Sequence, residues 1–320
     1  LKNTCRTRVI ADRFGKNRVT GKGNLAFSSL NLPSIAIDST SIEDFKERVS
    51  KYMDIAKDSL LFRYRLLCKN PSKAFDFVLR EGIWEGGSEL APNESPKELF
   101  KHGSLSIGFV GLAEALKQLT GFHHGESKES QEVGLSIISY MREICDRFSE
   151  ECDLNFSLFA TPAESLAGAM GRHNQKKYGV IEGVTDREYI TNSTHVPVYY
   201  DISIKDKIDI EAPYHELCNA GHIGYIELDG NARNNLDAFE KIVKYALEKD
   251  MTYFSVNHPV DFCPECKYEG IIGTECPNCH KTEDEVNFMR WRRLTGYLTG
   301  TLDRFNAGKK AEEKDRVKHG

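Results

Sequence analysis

Apolar residues recur at helical spacing over residues 42–68. Phe45, Val49, Tyr52, Met53 and Ala56 share a stripe there, and Ser41 ahead of Glu43 and Asp44 marks a capped start. The same spacing predicts a helix from near Ser104 through Ile107, Val110, Leu112, Leu116 and Leu119 to a stop at Gly121. A third helix is predicted over 127–149, burying Val133, Ile137, Tyr140, Met141, Ile144 and Phe148. Within the apolar stretch Leu25 to Ile37 a strand is predicted that ends in a loop at the Asn31-Leu32-Pro33 break, and another strand is predicted from Asp153 to Thr161, where Leu154, Phe156, Leu158 and Ala160 alternate with their neighbours. Later strands fall near Ile223–Leu228 and Met251–Ser255. Further helices fall at 162–177, with Pro162 at the start, and at 234–249. Strands separated by helices predict a parallel α/β architecture. Residues 1–25, rich in Arg, Lys and Gly, read as an exposed or functional loop, and 82–95 as a long connection. Two polar segments, Thr191-Asn192-Ser193-Thr194-His195 and Asn219-Ala220-Gly221-His222, stand at strand ends, where parallel sheets place their pockets.

Composition narrows the function classes. The 320 residues carry 43 Lys and Arg against 48 Asp and Glu, a net charge of −5, which excludes a polycationic nucleic-acid binder. A hydrophobic fraction of 40% supplies a substantial core, either one large domain with an appendage or two smaller ones. No window approaches the ~18 apolar residues of a membrane span, and the N-terminus lacks a signal-peptide pattern. The expectation is a soluble, cytoplasmic chain. Its first residue is Leu1 rather than Met, so a fragment of a longer protein is expected.

Four of the nine cysteines fall within seventeen residues. Cys263, Cys266, Cys276 and Cys279 form C-x2-C-x9-C-x2-C, two thiolate knuckles able to close a tetrahedron around Zn²⁺, with Gly270 and Gly273 letting the ribbon turn. The proline after the first cysteine of each knuckle also suits a rubredoxin-like iron site, whereas a disulfide framework is disfavoured. Four ligands leave no open position, so the predicted metal is structural. Cys68, Cys145, Cys152 and Cys218 read as buried or incidental thiols. There is no phosphate-loop or dinucleotide fingerprint and no G-x-S-x-G elbow. The glycines from Gly103 to Gly111 read either as helix-packing positions or as points of substrate approach.

Several segments carry a resemblance along nearly the whole chain: Asn-Thr-Cys5-Arg-Thr-Arg, Gly23-Asn24-Leu25-Ala26-Phe27-Ser28-Ser29-Leu30-Asn31-Leu32-Pro33, Thr191 to Pro197, Asn219 to Ile223, the four-cysteine ribbon, and Arg293-Leu294-Thr295-Gly296-Tyr297-Leu298. Together they resemble the anaerobic, class III ribonucleoside-triphosphate reductases of the glycyl-radical enzyme superfamily. The resemblance implies the second half of a ten-stranded α/β barrel with a finger loop, a C-terminal zinc ribbon and a glycyl-radical loop. It divides the chain into a finger-loop region (1–24), half of the barrel (25–260), the ribbon (261–282) and the radical-bearing segment (283–320).

By the same resemblance, Cys5 is the thiyl-radical cysteine and Gly296 the residue that stores the radical. A separate radical-SAM activase, holding S-adenosylmethionine and an iron–sulfur cluster, is implied, as are ribonucleoside triphosphate substrates, formate or a thiol system as reductant, and a homodimer. The specificity site for dNTP and ATP effectors and any ATP-cone are implied to lie upstream. Substrate contacts are weighed residue by residue. Asn24 reads as a ribose- or formate-orienting amide or a loop cap, Ser28 and Ser29 as donors to triphosphate oxygens, and His195 and His222 as substrate-bonding or satisfied loop histidines. Arg6 reads as a finger-loop anchor, a phosphate contact or a surface ion pair. Two competing readings are a zinc-ribbon interaction module without catalysis, for which the cysteine tetrad alone would suffice, and another glycyl-radical enzyme.

Overall fold

The computed structural model describes residues 3–4, 7–17, 19–228, 232–258, 260–294, 297–299 and 302–319. Cys5, Arg6 and Gly296 lie outside the described residues.

The chain opens with a hairpin of β1 (Asn3–Thr4) and β2 (Thr7–Arg8), in which Thr4 pairs with Thr7. The central sheet is parallel, ordered β3 (Asn24–Asn31), β4 (Ser104–Val110), β5 (Asn155–Ala160). Between β3 and β4 run α1 (Leu32–Ile37), the long α2 (Ile42–Lys69), α3 (Asp76–Arg80) and α4 (Lys97–Phe100). Between β4 and β5 run α5 (Leu112–Thr120) and α6 (Lys128–Cys152). Then α7 (Ser165–Tyr178), α8 (Ile204–Glu211) and α9 (Pro213–Leu217) lead to β6 (Gly224–Glu227), which is joined through α10 (Leu236–Glu248) to its parallel neighbour β7 (Phe254–Asn257).

The main core lies where α2 and α6 cover one face of the central sheet. Phe45, Val49, Met53 and Leu60 of α2 and Ile137, Met141 and Phe148 of α6 pack with Leu105, Ile107, Phe109, Phe156 and Leu158. On the opposite face Ser29, Ser106, Gly108 and Ser157 form a small, polar strip beside Phe27 and Phe159, whose ring centres lie 6.1 Å apart, and the Ser106 and Ser157 hydroxyls are 3.0 Å apart. The Ser41 hydroxyl accepts the Asp44 N–H at 3.1 Å and fixes the predicted start of α2, although Tyr52 faces outward.

Three expectations are corrected. Residues 104–110 are a strand rather than the start of a helix: Leu105, Ile107 and Phe109 alternate with Ser104, Ser106 and Gly108, a period of two in a segment buried on both faces. The strand ends at the Asn31-Leu32-Pro33 break, but a helix rather than a loop follows it: the Asn31 side chain caps α1 by accepting the Ser34 N–H at 3.4 Å, with Pro33 in the first helical turn. Helix α7 starts at Ser165 rather than Pro162, because Asn192 Oδ1 takes the Ala163 N–H at 2.6 Å and holds 161–164 as a loop.

The C-terminal part is an antiparallel sheet ordered β11 (Tyr297–Thr299), β10 (Met289–Leu294), β8 (Val260–Phe262), β9 (Glu269–Gly270). Because Met289 pairs with Phe262, the cysteine ribbon and the β10–β11 hairpin belong to one sheet. Helix α11 (Ala307–Asp315) packs back on α7. No helix among the described residues is long and apolar enough to cross a membrane.

Candidate functional site

The 191–196 loop is tied down from four sides beyond the C-terminal ends of the parallel strands. The Gly111 and Leu112 N–H groups donate to the Thr191 and Ser193 carbonyls at 3.0 and 3.1 Å. In return the Thr191 N–H and hydroxyl both donate to Glu114 Oε1 at 2.6 Å, so the first turn of α5 and the loop satisfy each other. Burial raises the Glu114 carboxyl above its ordinary range, against the pull of those two donors. Ser193, at φ 45°, donates its hydroxyl to the Thr161 carbonyl at 2.7 Å. Thr161 Oγ1 in turn meets Ser29 Oγ at 2.7 Å.

Histidines fill the space behind this loop. The Thr194 hydroxyl bonds His222 Nε2, and His124 Nε2 donates to the Thr194 carbonyl at 3.0 Å. The rings of His195 and His222 lie 5.8 Å apart and those of His215 and His222 3.9 Å apart. Burial drives His124 and His215 down to about 3 and puts His222 well below the imidazole range. These are neutral rings at pH 7. Glu211 Oε1 accepts the Val196 N–H at 2.9 Å and pairs with Lys207, while His195 Nδ1 stands 3.6 Å from Glu211 Oε2. Burial opposes the Glu211 charge, but Lys207 and His195 outweigh it and hold the carboxyl below the usual range.

Two remote chain segments converge on these loops. From the N-terminal side, the Arg8 N–H donates to the Ala220 carbonyl at 2.6 Å, and the Ala220 N–H donates to Leu158 of β5 at 2.8 Å. The chain then runs back along β5, for Asn155 Nδ2 donates to Asp12 Oδ1 at 3.0 Å. The β1–β2 hairpin is thereby hooked beside the His222 loop. From the C-terminal side, Arg293 of β10 donates to Ser255 Oγ at 3.1 Å, and its guanidinium lies 5.9 Å from the Tyr225 ring centre. Tyr225 is itself 5.5 Å from His195. Between the 191–196 loop, Tyr225 and the C-terminal tail is a cavity of about 30 Å³, room for a water rather than a nucleotide.

The sequence candidates therefore separate. Ser29, His195 and His222 gather at the strand ends. Asn24 lies at the opposite end of the sheet, where it accepts the Ser104 hydroxyl. Ser28 is held at 2.7 Å by Arg63 of α2, on the helix-covered side, so it and Ser29 cannot jointly receive one phosphate chain. Sequence reasoning missed Thr161, Glu211, Lys207 and Tyr225, and named Ser193 and Arg293 only as members of their motifs. The Lys207/Glu211 spacing of four on a helix was the available signal for one pair.

The four cysteines form the second centre. Each knuckle is built alike: the Lys267 N–H donates to the Cys263 carbonyl and the His280 N–H to the Cys276 carbonyl, both at 2.9 Å, and Lys267 and His280 each take positive φ, 64° and 58°. The Sγ atoms of Cys263 and Cys279 are 3.7 Å apart, those of Cys266 and Cys276 3.6 Å, and all four lie within 4.8 Å of one another. A tetrahedron with metal–sulfur bonds of about 2.3 Å requires sulfurs about 3.8 Å apart, so the donor set fits a metal such as zinc. The ribbon is tied to the β10–β11 hairpin by Arg290, which donates to the Ile272 carbonyl at 2.6 Å and pairs with Glu283 at 3.0 Å.

This combination of a parallel α/β unit, a hooked N-terminal hairpin and a cysteine-braced C-terminal hairpin has the fold of anaerobic ribonucleotide reductases. A solved anaerobic ribonucleotide reductase superimposes with a TM-score of 0.69 at 18% identity, covering 92% of this chain and 44% of its own. The Thermotoga maritima anaerobic ribonucleotide reductase in complex with dATP and CTP matches at 0.68 and 18%, covering 95% and 46%. The family model for anaerobic ribonucleoside-triphosphate reductase matches residues 1–319, and the chain belongs to that family. Anaerobic ribonucleoside-triphosphate reductases of Haemophilus influenzae and Escherichia coli are 36% and 35% identical to it over 308 and 309 residues, each match covering 93% of this chain and 43% of the relative. The phage T4 protein of that name is 35% identical, covering 97% of this chain and 51% of its own. The chain thus spans about half the length of the curated relatives it matches.

Proposed function

We propose that the protein takes part in anaerobic reduction of ribonucleoside triphosphates to 2′-deoxyribonucleoside triphosphates by glycyl and thiyl radical chemistry. One observation carries the reading: the strand that follows Cys5 is hooked at Ala220, and the strand that precedes Gly296 is held at Ser255 and Tyr225, both against the loop pair bearing His195 and His222. Family membership supports the same roles for the two residues.

In this proposal residues 1–24 are the finger-loop region, 25–260 half of a ten-stranded barrel, 261–282 a zinc ribbon and 283–320 the radical-bearing segment. A separate radical-SAM activase removes a hydrogen atom from the α-carbon of Gly296, where the unpaired electron spreads over the adjoining amides. The glycyl radical takes the hydrogen of the Cys5 thiol, and the resulting thiyl takes the 3′ hydrogen of the ribose. The 2′ hydroxyl takes up a proton and leaves as water; formate, oxidised to CO2, or a thiol pair, oxidised to a disulfide, supplies the two electrons with which C2′ gains its hydrogen; the 3′ hydrogen then returns from Cys5, and the re-formed thiyl recovers a hydrogen atom from Gly296. Ser29, His195 and His222 border the substrate, Arg6 meets phosphate or anchors the finger, and Asn24, bonded to Ser104 at the far end of the sheet, has the structural role of a capping amide. Cys263, Cys266, Cys276 and Cys279 would hold zinc, which supplies a rigid base for the β10–β11 hairpin and no chemistry. Effector dNTP and ATP sites, a homodimer and a cytoplasmic location complete the reading.

Anaerobic turnover by the intact protein with its activase, comparing formate with a thioredoxin-type donor, tests it. Deoxyribonucleoside triphosphate should appear with one of the two donors. Activated protein that yields none with either refutes the reading.

A further inference from the structure

The C-terminal tail ends in a group of charges buried where it meets β6 and β10. Helix α11 approaches α7 so closely that a Cβ on Gly308 would stand 2.8 Å from the Gly168 Cα. Beyond it, the Val317 N–H donates to the Val198 carbonyl at 2.9 Å, the His319 N–H to the Glu227 carbonyl at 2.8 Å, and His319 Nδ1 accepts the Glu227 N–H at 3.0 Å. The side chains of Arg316, Glu227, Glu312 and Lys309 are all buried. Arg316 is the hub of this group. Its Nη1 bonds Glu227 Oε1 and also donates to the Arg293 carbonyl at 3.2 Å, while its Nη2 reaches Glu312 Oε1 at 3.2 Å. Glu227 Oε1 further accepts Asn257 Nδ2 at 2.9 Å; Asn257 Oδ1 accepts the Ser255 hydroxyl at 2.8 Å, and Ser255 is the partner of the Arg293 side chain.

Burying four charged side chains is costly, and apolar packing of equal volume generally serves stability as well, so such clusters are best explained where they fix a register. Here the register fixed is that of β10. Arg293 is gripped twice, by its carbonyl and by its guanidinium, three residues before Gly296.

We propose that Arg316 is a positioning residue: with Glu227 it latches the C-terminal tail onto the stem of the β10–β11 hairpin and holds that stem beside the loops carrying His195 and His222. The consequence for radical transfer rests on the function proposed above; the latch itself does not. A guanidinium is required because its planar fork spreads its donors over two nitrogens, Nη1 for Glu227 and the Arg293 carbonyl and Nη2 for Glu312, whereas a lysine carries its three N–H donors on one nitrogen and cannot reproduce that spacing.

The test uses the intact protein and its Arg316→Lys and Glu227→Gln variants. In Arg316→Lys, amide hydrogen exchange over 289–294 and 297–299 should rise at least about tenfold, while 104–110 and 155–160 of the central sheet stay at wild-type rates. After anaerobic activation the variant should still form a glycine-centred radical, but kcat should fall about tenfold or more with KM for the nucleotide within about twofold. Glu227→Gln, which keeps the shape but not the charge, should give a smaller change of the same kind. Wild-type exchange in the hairpin overturns the latch, as does an increase spread equally over the central sheet. Altered hairpin exchange with wild-type kcat overturns its role in radical transfer. A wild-type protein that forms no glycine radical would refute the functional reading instead, and the exchange comparison would still decide the latch.

Discussion

Ser29 Oγ and Thr161 Oγ1 meet at 2.7 Å directly over Gly108, so the outer strands of the three-stranded sheet touch across the middle one. Only a residue without a side chain permits this. A Cβ on Gly108 would stand 2.0 Å from Thr161 Oγ1 and 2.8 Å from Ser29 Oγ. The same Thr161 carbonyl holds Ser193, so the contact also sets the height of the 191–196 loop.

Gly108→Ala should therefore destabilise the fold by about 1–3 kcal/mol through overpacking and loss of the hydroxyl pair. Urea denaturation reads this directly as a lowered midpoint with an unchanged slope. A midpoint equal to wild type would mean that the two hydroxyls part without cost.

The contrast between β4 and α2 explains what was legible in the sequence. In α2 the polar and apolar positions alternate with one period and the capping serine is explicit, so the helix was read with its start in place. In β4 the run Ser-Leu-Ser-Ile-Gly-Phe-Val leads straight into Leu112-Ala113-Glu114-Ala115-Leu116, and two periods join without a polar break. Gly111, at φ 81°, is the junction, and only its backbone conformation separates strand from helix. The four-cysteine cluster was legible because a group able to hold a metal needs close sequence spacing. The Glu211, Tyr225 and Arg293 contacts were not, because they depend on segments up to 68 residues apart meeting in three dimensions.

Metal removal should act locally before it acts globally. The ribbon has a small core of its own around Cys263, Ile272, Cys276 and Phe288, too little to hold its shape without the ion. A chelator or Cys276→Ser should expose 263–290 to proteolysis, with about one equivalent of metal released per chain. Retention of the protected ribbon after complete metal loss would contradict a structural role for the ion.

Buried histidines set an acid limit on stability. Burial pushes His123 down to about 4 and His124, His215 and His319 to about 3, against 6.5 for an unburied ring. Between those values the unfolded chain binds protons that the folded chain does not. Stability is thus complete above about pH 6.5 and falls as pH drops, each ring contributing up to about 1.4 kcal/mol per pH unit. Denaturation midpoints taken from about pH 7 to about pH 5 should decline steadily. His124→Gln, whose amide nitrogen can stand near the Nε2 position and donate to the Thr194 carbonyl but cannot titrate, should make the decline shallower. A flat profile would show that these rings are protonated in the fold.

If Gly296 stores the radical that passes to Cys5, as proposed, electron paramagnetic resonance of the anaerobically activated intact protein will detect it. A protein-centred doublet should appear, collapse when the protein is labelled with α-deuterated glycine, and be missing from Gly296→Ala. A radical of unchanged shape after deuteration, or one that persists with turnover in Gly296→Ala, would contradict it.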